Sequence, residues 1–387
     1  MKHLFLALAL SLLLLTGCAQ RNASSSSASS DLTSSAAPVY TYVDSAPDMV
    51  LATLPSGNIT YNGYRLYIDT NERMDRAYAK QDLALSAVLE KDLTQLGVSI
   101  DEAYFDRTAS EQVEAALASE GYTQGVETLR TVSGLTDAQL QNAMKLIFRP
   151  QYLTNLLYEH YHTAAQASHP VGAVNSTPVA SSADPSNAAP ISSLSPEEQA
   201  EQERQSRILE DVSGQMDAYY ARFKERCDFS NHEILAVIDG NAVNLTAAQK
   251  DFITYIGLSN RLNTIAKIQG GEAMLRELER RAYALDEPAL AEDMAAYISS
   301  LQSDAATLVT LSDSLSSLGA TLDDYYKAVE RPLRLQYAGY DFSEMLVSDY
   351  AALATDDPKR PATEDEYVQQ RIQELLGDGE LGNILGK

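Results

Sequence analysis

The sequence predicts a mainly α protein made of two helical domains, each opening on a short β segment. Three observations predict it. Apolar residues recur at helical spacing through most of the chain beyond residue 74. A tract rich in Ala, Ser and Pro at 164–196 divides that helical part into two pieces of similar size. Two segments, "LATLPSGNITYNGYRLYI" (51–68) and "LAVIDGNAVNLTAAQKDFI" (235–253), share one pattern 184 positions apart: an apolar strand, a turn around Gly and Asn, then an amphipathic run.

The chain begins "MKHLFLALALSLLLLTGC". Lys2, an apolar run over 4–15 and a small-residue exit describe an export signal over 1–17. The run is shorter than the roughly 20 apolar residues of a membrane-spanning helix. The exit "LTGC" resembles the lipobox of bacterial lipoproteins. That resemblance implies cleavage before Cys18 and fatty acylation, palmitate included, at Cys18. It places the protein on the extracytoplasmic face of the cell membrane, held there by lipid. One acyl chain anchors a protein marginally and two anchor it stably. The Ser-rich stretch that follows (18–47) has little to bury, so it reads as a disordered tether. Its root-mean-square span would be roughly 30 Å.

A formal charge of −25, from 54 acidic and 29 basic residues, with no cluster of Lys or Arg, argues against a nucleic-acid partner. It also leaves membrane attachment to the lipid rather than to surface charge. There are two cysteines. With Cys18 lipidated, Cys227 has no internal partner and reads as an inert thiol between acidic and basic neighbours.

The first domain is expected over 48–163. In "MDRAYAKQDLALSAVLEKDLTQLG" residues Leu85, Val88, Leu89, Leu93 and Leu96 form one stripe, stopped by Gly97. Ser99, with Glu102 three residues on, reads as the cap of the next helix. Thr136 caps another, with Leu140, Met144 and Ile147 on one face. Pro150 must end or kink it, having no N–H.

The second domain is expected over 197–360. Ser195 before Pro196, with acidic residues in the first turn, starts a helix carrying Leu209, Val212, Met216, Tyr219 and Phe223. A strand over 235–238 follows. Two further stripes come next: Leu275, Leu278, Ala282 and Leu285, then Met294, Tyr297, Ile298 and Leu301. A last helix through Val368, Ile372 and Leu375 lies in the C-terminal piece, 361–387. The two-part pattern also holds far downstream. "LQNAMKLIFRPQYL" (140–153) aligns with "LDDYYKAVERPLRL" (322–335) at an offset of 182, placing Arg149-Pro150 on Arg331-Pro332.

"ILAVIDGNAVNLTAAQKDF" (234–252) resembles the opening of the SurA/PrsA N-terminal chaperone domain, a strand with Val-Asn-Gly followed by Ile-Thr entering a helix. Asp239 stands where Asn is usual, and Leu245-Thr246 where Ile-Thr is. The first copy keeps Ile59-Thr60 but has Leu54-Pro55-Ser56-Gly57 in place of the turn. Its "LALSAVLEKDLTQLGVSIDEAYFD" (83–106) is similar to the helix that follows in that family, and "LRELERRAYALDEPALAEDM" is a weaker second version. The resemblance implies two SurA-like, trigger-factor-like helical domains on an exported, membrane-anchored chaperone. Its partners would be unfolded or exported polypeptides, with no cofactor. An envelope scaffold or complex subunit without client binding is the alternative.

A parvulin-type isomerase often follows in that family and would make the chain an enzyme. "FSNHEILAVID" echoes its start at His232, but no glycine-rich turn follows at the right distance, and no later His exists. "GDGELG" (377–382) comes too late. His160 and His162, two apart, cannot share a helix face, so no metal site is expected there. No catalytic constellation is legible. With 22 Tyr, 7 Phe and no Trp, tyrosine is the abundant contact-forming side chain. Phe148, Tyr152, Tyr158, Tyr325, Tyr326 and Tyr337 cluster around the two Arg-Pro motifs and are candidate client contacts. The competing reading is that they seal helix packing.

Overall fold

A computed structural model describes residues 50–54, 57–118, 129–170, 196–353 and 360–376. The export signal, Cys18, the tether, Ser195 and most of the Pro/Ser-rich tract lie outside the described residues. The protein is mainly helical, with five short strands among the described residues. Strands β1 (Val50–Leu54) and β2 (Gly57–Thr60) pair antiparallel, Ala52 facing Ile59, with an irregularity between Val50 and Ala52. Helix α1 (Arg65–Gln95) follows, then α2 (Glu102–Leu117), α3 (Asp137–Leu146), α4 (Arg149–Ser168) and α5 (Pro196–Arg226). Strands β3 (Cys227–Asp228), β4 (Ala236–Ile238) and β5 (Asn241–Val243) form a second antiparallel sheet. Helices α6 (Ala247–Arg280), α7 (Glu287–Ser303), α8 (Ala305–Leu318), α9 (Leu322–Ala352) and α10 (Glu364–Leu376) complete the chain.

Local chemistry explains most boundaries. Gly97, at φ 72, ends α1 in a left-handed residue that other side chains avoid. Asp239 and Gly240 both have positive φ (51 and 78), the conformation that a two-residue hairpin turn of primed type requires between β4 and β5. Thr136 and Gln139 exchange side-chain-to-backbone hydrogen bonds before α3, as a capping box does. Pro150 sits in the first turn of α4, separating α3 from α4 at residues 147–148.

The chain packs into two compact units, and they are not the two sequence halves. The first unit is built from residues up to Ala79, from Glu114–Leu140 and from Asp251 onward. The second is built from Lys80–Val113 and Gln141–Lys250. Both α1 and α6 therefore change unit part-way along. The expected succession of a 48–163 domain and a 197–360 domain is not the division that packing makes. A two-stranded hairpin cannot bury a core alone, so each hairpin takes its cover from whichever helices fold against it, wherever they lie in sequence.

In the first unit, Leu51, Ile59, Tyr61, Tyr64 and Ile68 share one core with Ile265, Ile268, Leu275, Leu278, Leu335, Ala338, Phe342 and Leu346. Burial of each large apolar side chain there contributes roughly 1.5–3 kcal/mol. Val368, Ile372 and Leu375 of α10 pack against the same core. A neighbouring cluster joins Leu66 and Met74 of α1 to Leu301, Leu311, Leu315, Tyr325 and Val329. Gly271 lets α6 approach α9: a Cβ there would meet Leu335 Cβ at 2.6 Å.

In the second unit α4 packs on α5 through Ala165, Ile208 and Val212, with Tyr161 and Met216 alongside. Residues 164–168 end helix α4 rather than begin a linker, and the tract beyond them connects two helices of one unit. Several stripe positions shift by one residue or fall outside their helix. Leu96 lies past the end of α1 and is exposed. Ile208 is buried in place of Leu209, which is exposed. Ala282 lies beyond α6 with a positive φ.

Candidate functional site

Within the second unit, α2 and α4 present an aromatic surface interleaved with arginine. The start of α2 is fixed by Asp101, whose Oδ1 accepts from the Tyr104 N–H at 2.9 Å. Asp101 thus takes the role the sequence suggested for Ser99. The same residue is held from α4. The Tyr152 hydroxyl accepts from the Asp101 N–H (3.1 Å) and donates to its carbonyl (3.2 Å). That grip brings the Tyr152 ring to 5.3 Å from Phe105 and 6.2 Å from Tyr104, centroid to centroid, within the range of favourable aromatic pairs.

Arg149 sits beneath. Its guanidinium carbon lies 4.8 Å from the Phe105 ring centre. Its nitrogens donate to Glu90 (2.9 Å from Nε) and, bidentately, to Glu102 (2.8 and 2.7 Å). Burial disfavours the Arg149 charge, but the bonds to Glu102 and Glu90 outweigh it and raise the pKa above the ordinary arginine value. Its donors are committed to these carboxylates, so it stiffens the surface and is not a free anion ligand. The outer residues differ. Arg107 lies 5.6 Å over the Tyr104 ring, and Tyr104 is about half exposed, at 49%. Lys145 reaches Asp106, the residue before Arg107, at 2.8 Å. Chemically this is a rigid, partly solvated patch of ring faces edged by cations. It suits apolar or aromatic side chains and the carbonyls of an extended chain.

The six tyrosines and phenylalanines singled out in sequence fall three in each unit. Tyr152 belongs to the patch, and Phe148 is half-buried at the N-cap of α4. Tyr158 is exposed on α4 but stacks on His162, 5.9 Å away with planes 10° apart. Tyr325 is a correction: it is buried in the first unit's core at 1% exposure, with its hydroxyl near Asn71 and Tyr297, so it cannot meet a client. Tyr326 is half-buried against the same cluster, with its hydroxyl oxygen buried. The Tyr337 hydroxyl bonds to Asp293 and to the Ala289 carbonyl. Tyr104 and Phe105 were missed in sequence, although "DEAYFDR" places adjacent rings just inside an acidic helix start.

Several other ionisable groups are tied to each other within each unit. In the first unit Arg261 bonds Asp69 (3.2 Å), Glu72 (2.6 Å) and the Tyr61 hydroxyl (2.6 Å). Tyr64 and Arg331 share the buried Glu272. In the second, Arg226 bridges Asp92 and Asp239, and Lys91 joins Asp239 at 2.7 Å. Burial and the neighbouring Asp92 push the Tyr219 hydroxyl well above its ordinary pKa. The carbonyl of His232 accepts from Lys80 at 3.0 Å. Among the described residues no group of His, Cys, Asp and Glu is arranged to hold a metal. No described helix is long and apolar enough to cross a membrane. Comparison with protein-family models, curated proteins and solved structures gave no match.

Proposed function

We propose that this protein is an extracytoplasmic lipoprotein, anchored through Cys18, that binds unfolded or newly exported polypeptides without catalysing a reaction on them. The observation that carries this reading is the Tyr104–Phe105–Tyr152 patch with Arg107 at its edge. Rings fixed by Asp101 and Arg149 lose little entropy when they take up a flexible segment. The SurA/PrsA resemblance of 83–106, which contains Tyr104 and Phe105, points the same way.

The test uses the chain without residues 1–18 and an aggregation-prone unfolded client. Suppression of light scattering near equimolar ratio is expected. No suppression at several-fold excess sinks the proposal and leaves an envelope scaffold or complex subunit as the reading. Membrane attachment is tested separately. Cys18→Ala should move the protein from the membrane to the soluble fraction, and unchanged retention would overturn the anchor. A protease-coupled prolyl-isomerisation assay checks the absence of catalysis; turnover lost in His232→Ala would overturn it.

A further inference from the structure

Each sequence half runs through a hairpin, a helix of more than 30 residues, shorter helices and an Arg-Pro pair. α1 starts at Arg65 and α6 at Ala247, 182 positions apart. Glu90 and Glu272 are 182 apart, and so are Arg149 and Arg331. In each half the arginine Nε donates to Oε1 of that half's glutamate at 2.9 Å, across 59 positions. An ion pair rebuilt from the same atoms at the same offset marks the two halves as versions of one module.

Within each unit, the hairpin of one half meets the second part of the long helix of the other half. Leu51 and Ile59 pack with Ile265, Ile268 and Leu275 of α6, and the Gln269 side chain donates to the Leu51 carbonyl. The second sheet lies along α1 instead. Its flanking His232 carbonyl meets Lys80, Asp239 meets Lys91, and Arg226 at the entry to β3 meets Asp92. Removing the offsets makes the reciprocity explicit. Leu51 corresponds to Leu235, and Gln269 corresponds to Ala87. Leu235 lies between 232 and 239, and Ala87 lies between their partners 80 and 91. The same stretch of the long helix takes the hairpin of the other copy in both units.

We infer that the second half of each long helix is a docking surface whose occupant is the entrance hairpin of another copy of the module, and that the chain is a fused, reciprocally exchanged pair. Its partner by chemistry is a second copy of the same module, supplied here by the other half of the chain. The hairpin of the first half shares the apolar face of 265–278 with α9 and α10, and the second sheet is tied to 80–92 through Lys80, Lys91 and Asp92. This goes beyond the client-binding proposal and does not depend on it.

The test is native-state hydrogen exchange on the chain without residues 1–18, for Ile59→Val and Leu235→Ala. Ile59→Val should raise the slow amide exchange rates of 265–278 and 335–346 several-fold while 149–165 stays unchanged. Leu235→Ala should do the reverse, raising rates over 83–93 and 149–165. If Ile59→Val loosens 83–93 and 149–165 instead, or both units equally, the exchange is overturned. A second measurement does not depend on variants folding. A protease site is inserted within 171–195 and the chain is cleaved there without denaturant. The cut chain should elute as one species of full mass and release its halves only in denaturant. Elution as two folded half-size species would overturn the inference.

Discussion

Arg331 holds Glu272 with Nε 2.9 Å from the carboxylate, and the buried member of the pair is the glutamate: its side chain is 5% exposed against 45% for the arginine. The equivalent pair in the second unit is inverted, with Arg149 at 10% and Glu90 at 43%. Removing Arg331 strands a carboxylate in the core. Removing Arg149 leaves carboxylates that water can reach. Arg331→Ala should therefore cost about 3–5 kcal/mol, moderated by Arg276 at 3.5 Å, and Arg149→Ala about 1–3 kcal/mol. Urea titration followed by circular dichroism measures both. Adding Glu272→Gln to Arg331→Ala should recover part of the loss; equal costs for the two arginines would refute the inversion.

Gly271 is where α6 meets α9. In an exposed helix, Gly→Ala would gain up to about 1 kcal/mol. Here the added methyl would sit 2.6 Å from Leu335 Cβ and 3.2 Å from its carbonyl, and backbone cannot step aside cheaply. Overpacking of this kind costs about 1–3 kcal/mol. Gly271→Ala should lower the melting temperature, and a raised one would show that the helices are not in contact there.

Elements governed by their own few residues were legible in the sequence. The α1 stripe of Leu85, Val88, Leu89 and Leu93 is buried as its spacing demands, and the Thr136 cap and the Pro150 break both stand. One-residue choices were less secure. Leu209 and Ile208 are adjacent and only 100° apart on a helix, so both fit the stripe and packing selected Ile208. What periodicity could not supply was the partner of each buried face. The stripe of α6 is equally apolar whether β1–β2 or β4–β5 covers it, so the interleaving of the units was invisible. Tyr325 failed as a surface residue for the same reason. Part of the cluster that buries it, Leu66 and Met74 of α1, lies more than 250 positions away in sequence.

Stability should depend on pH through Asp75. Burial pushes its carboxyl up to about 7, opposed by a hydrogen bond from Asn260, raised further by Glu72 and lowered by Lys267. Between about pH 4 and 7 the folded protein keeps a proton that the unfolded chain has lost. Folded stability from this group therefore falls as pH rises through that window and is flat above it. The full shift corresponds to at most about 4 kcal/mol. Glu277, held down to about 2 chiefly by its bond from Arg280, acts oppositely and loses its contribution below the ordinary glutamate range. Asp75→Asn should flatten the pH 4–7 slope and raise stability at pH 8, read by denaturant midpoints across pH. An unchanged slope would place the proton elsewhere.

Cys227 is half-buried at the start of β3. Burial raises its thiol to about 11, with Arg226 pulling it down and Asp239 pushing it up. At pH 8 the thiolate fraction should be on the order of a hundredfold below that of an ordinary cysteine. Reaction of the chain without residues 1–18 with an aromatic disulfide reagent should be slowed accordingly and become fast in denaturant. Rapid native labelling would show an accessible, reactive thiol.

Tyr104 offers the sharpest division between binding and stability. Its ring is the most exposed of the patch, whereas Tyr152 and Phe105 are anchored by Asp101 and Arg149. Tyr104→Ser should leave the unfolding midpoint within about 0.5 kcal/mol, as surface changes do. It should weaken binding of a labelled unfolded peptide by about 5- to 30-fold, the range for loss of an aromatic anchor worth 1–2 kcal/mol. Tyr158→Ser removes a comparably exposed ring that stacks on His162 outside the patch, and should leave peptide affinity unchanged. Fluorescence anisotropy with both variants separates the outcomes. Equal losses would spread the binding surface along α4, and no loss in either would remove the patch from client contact.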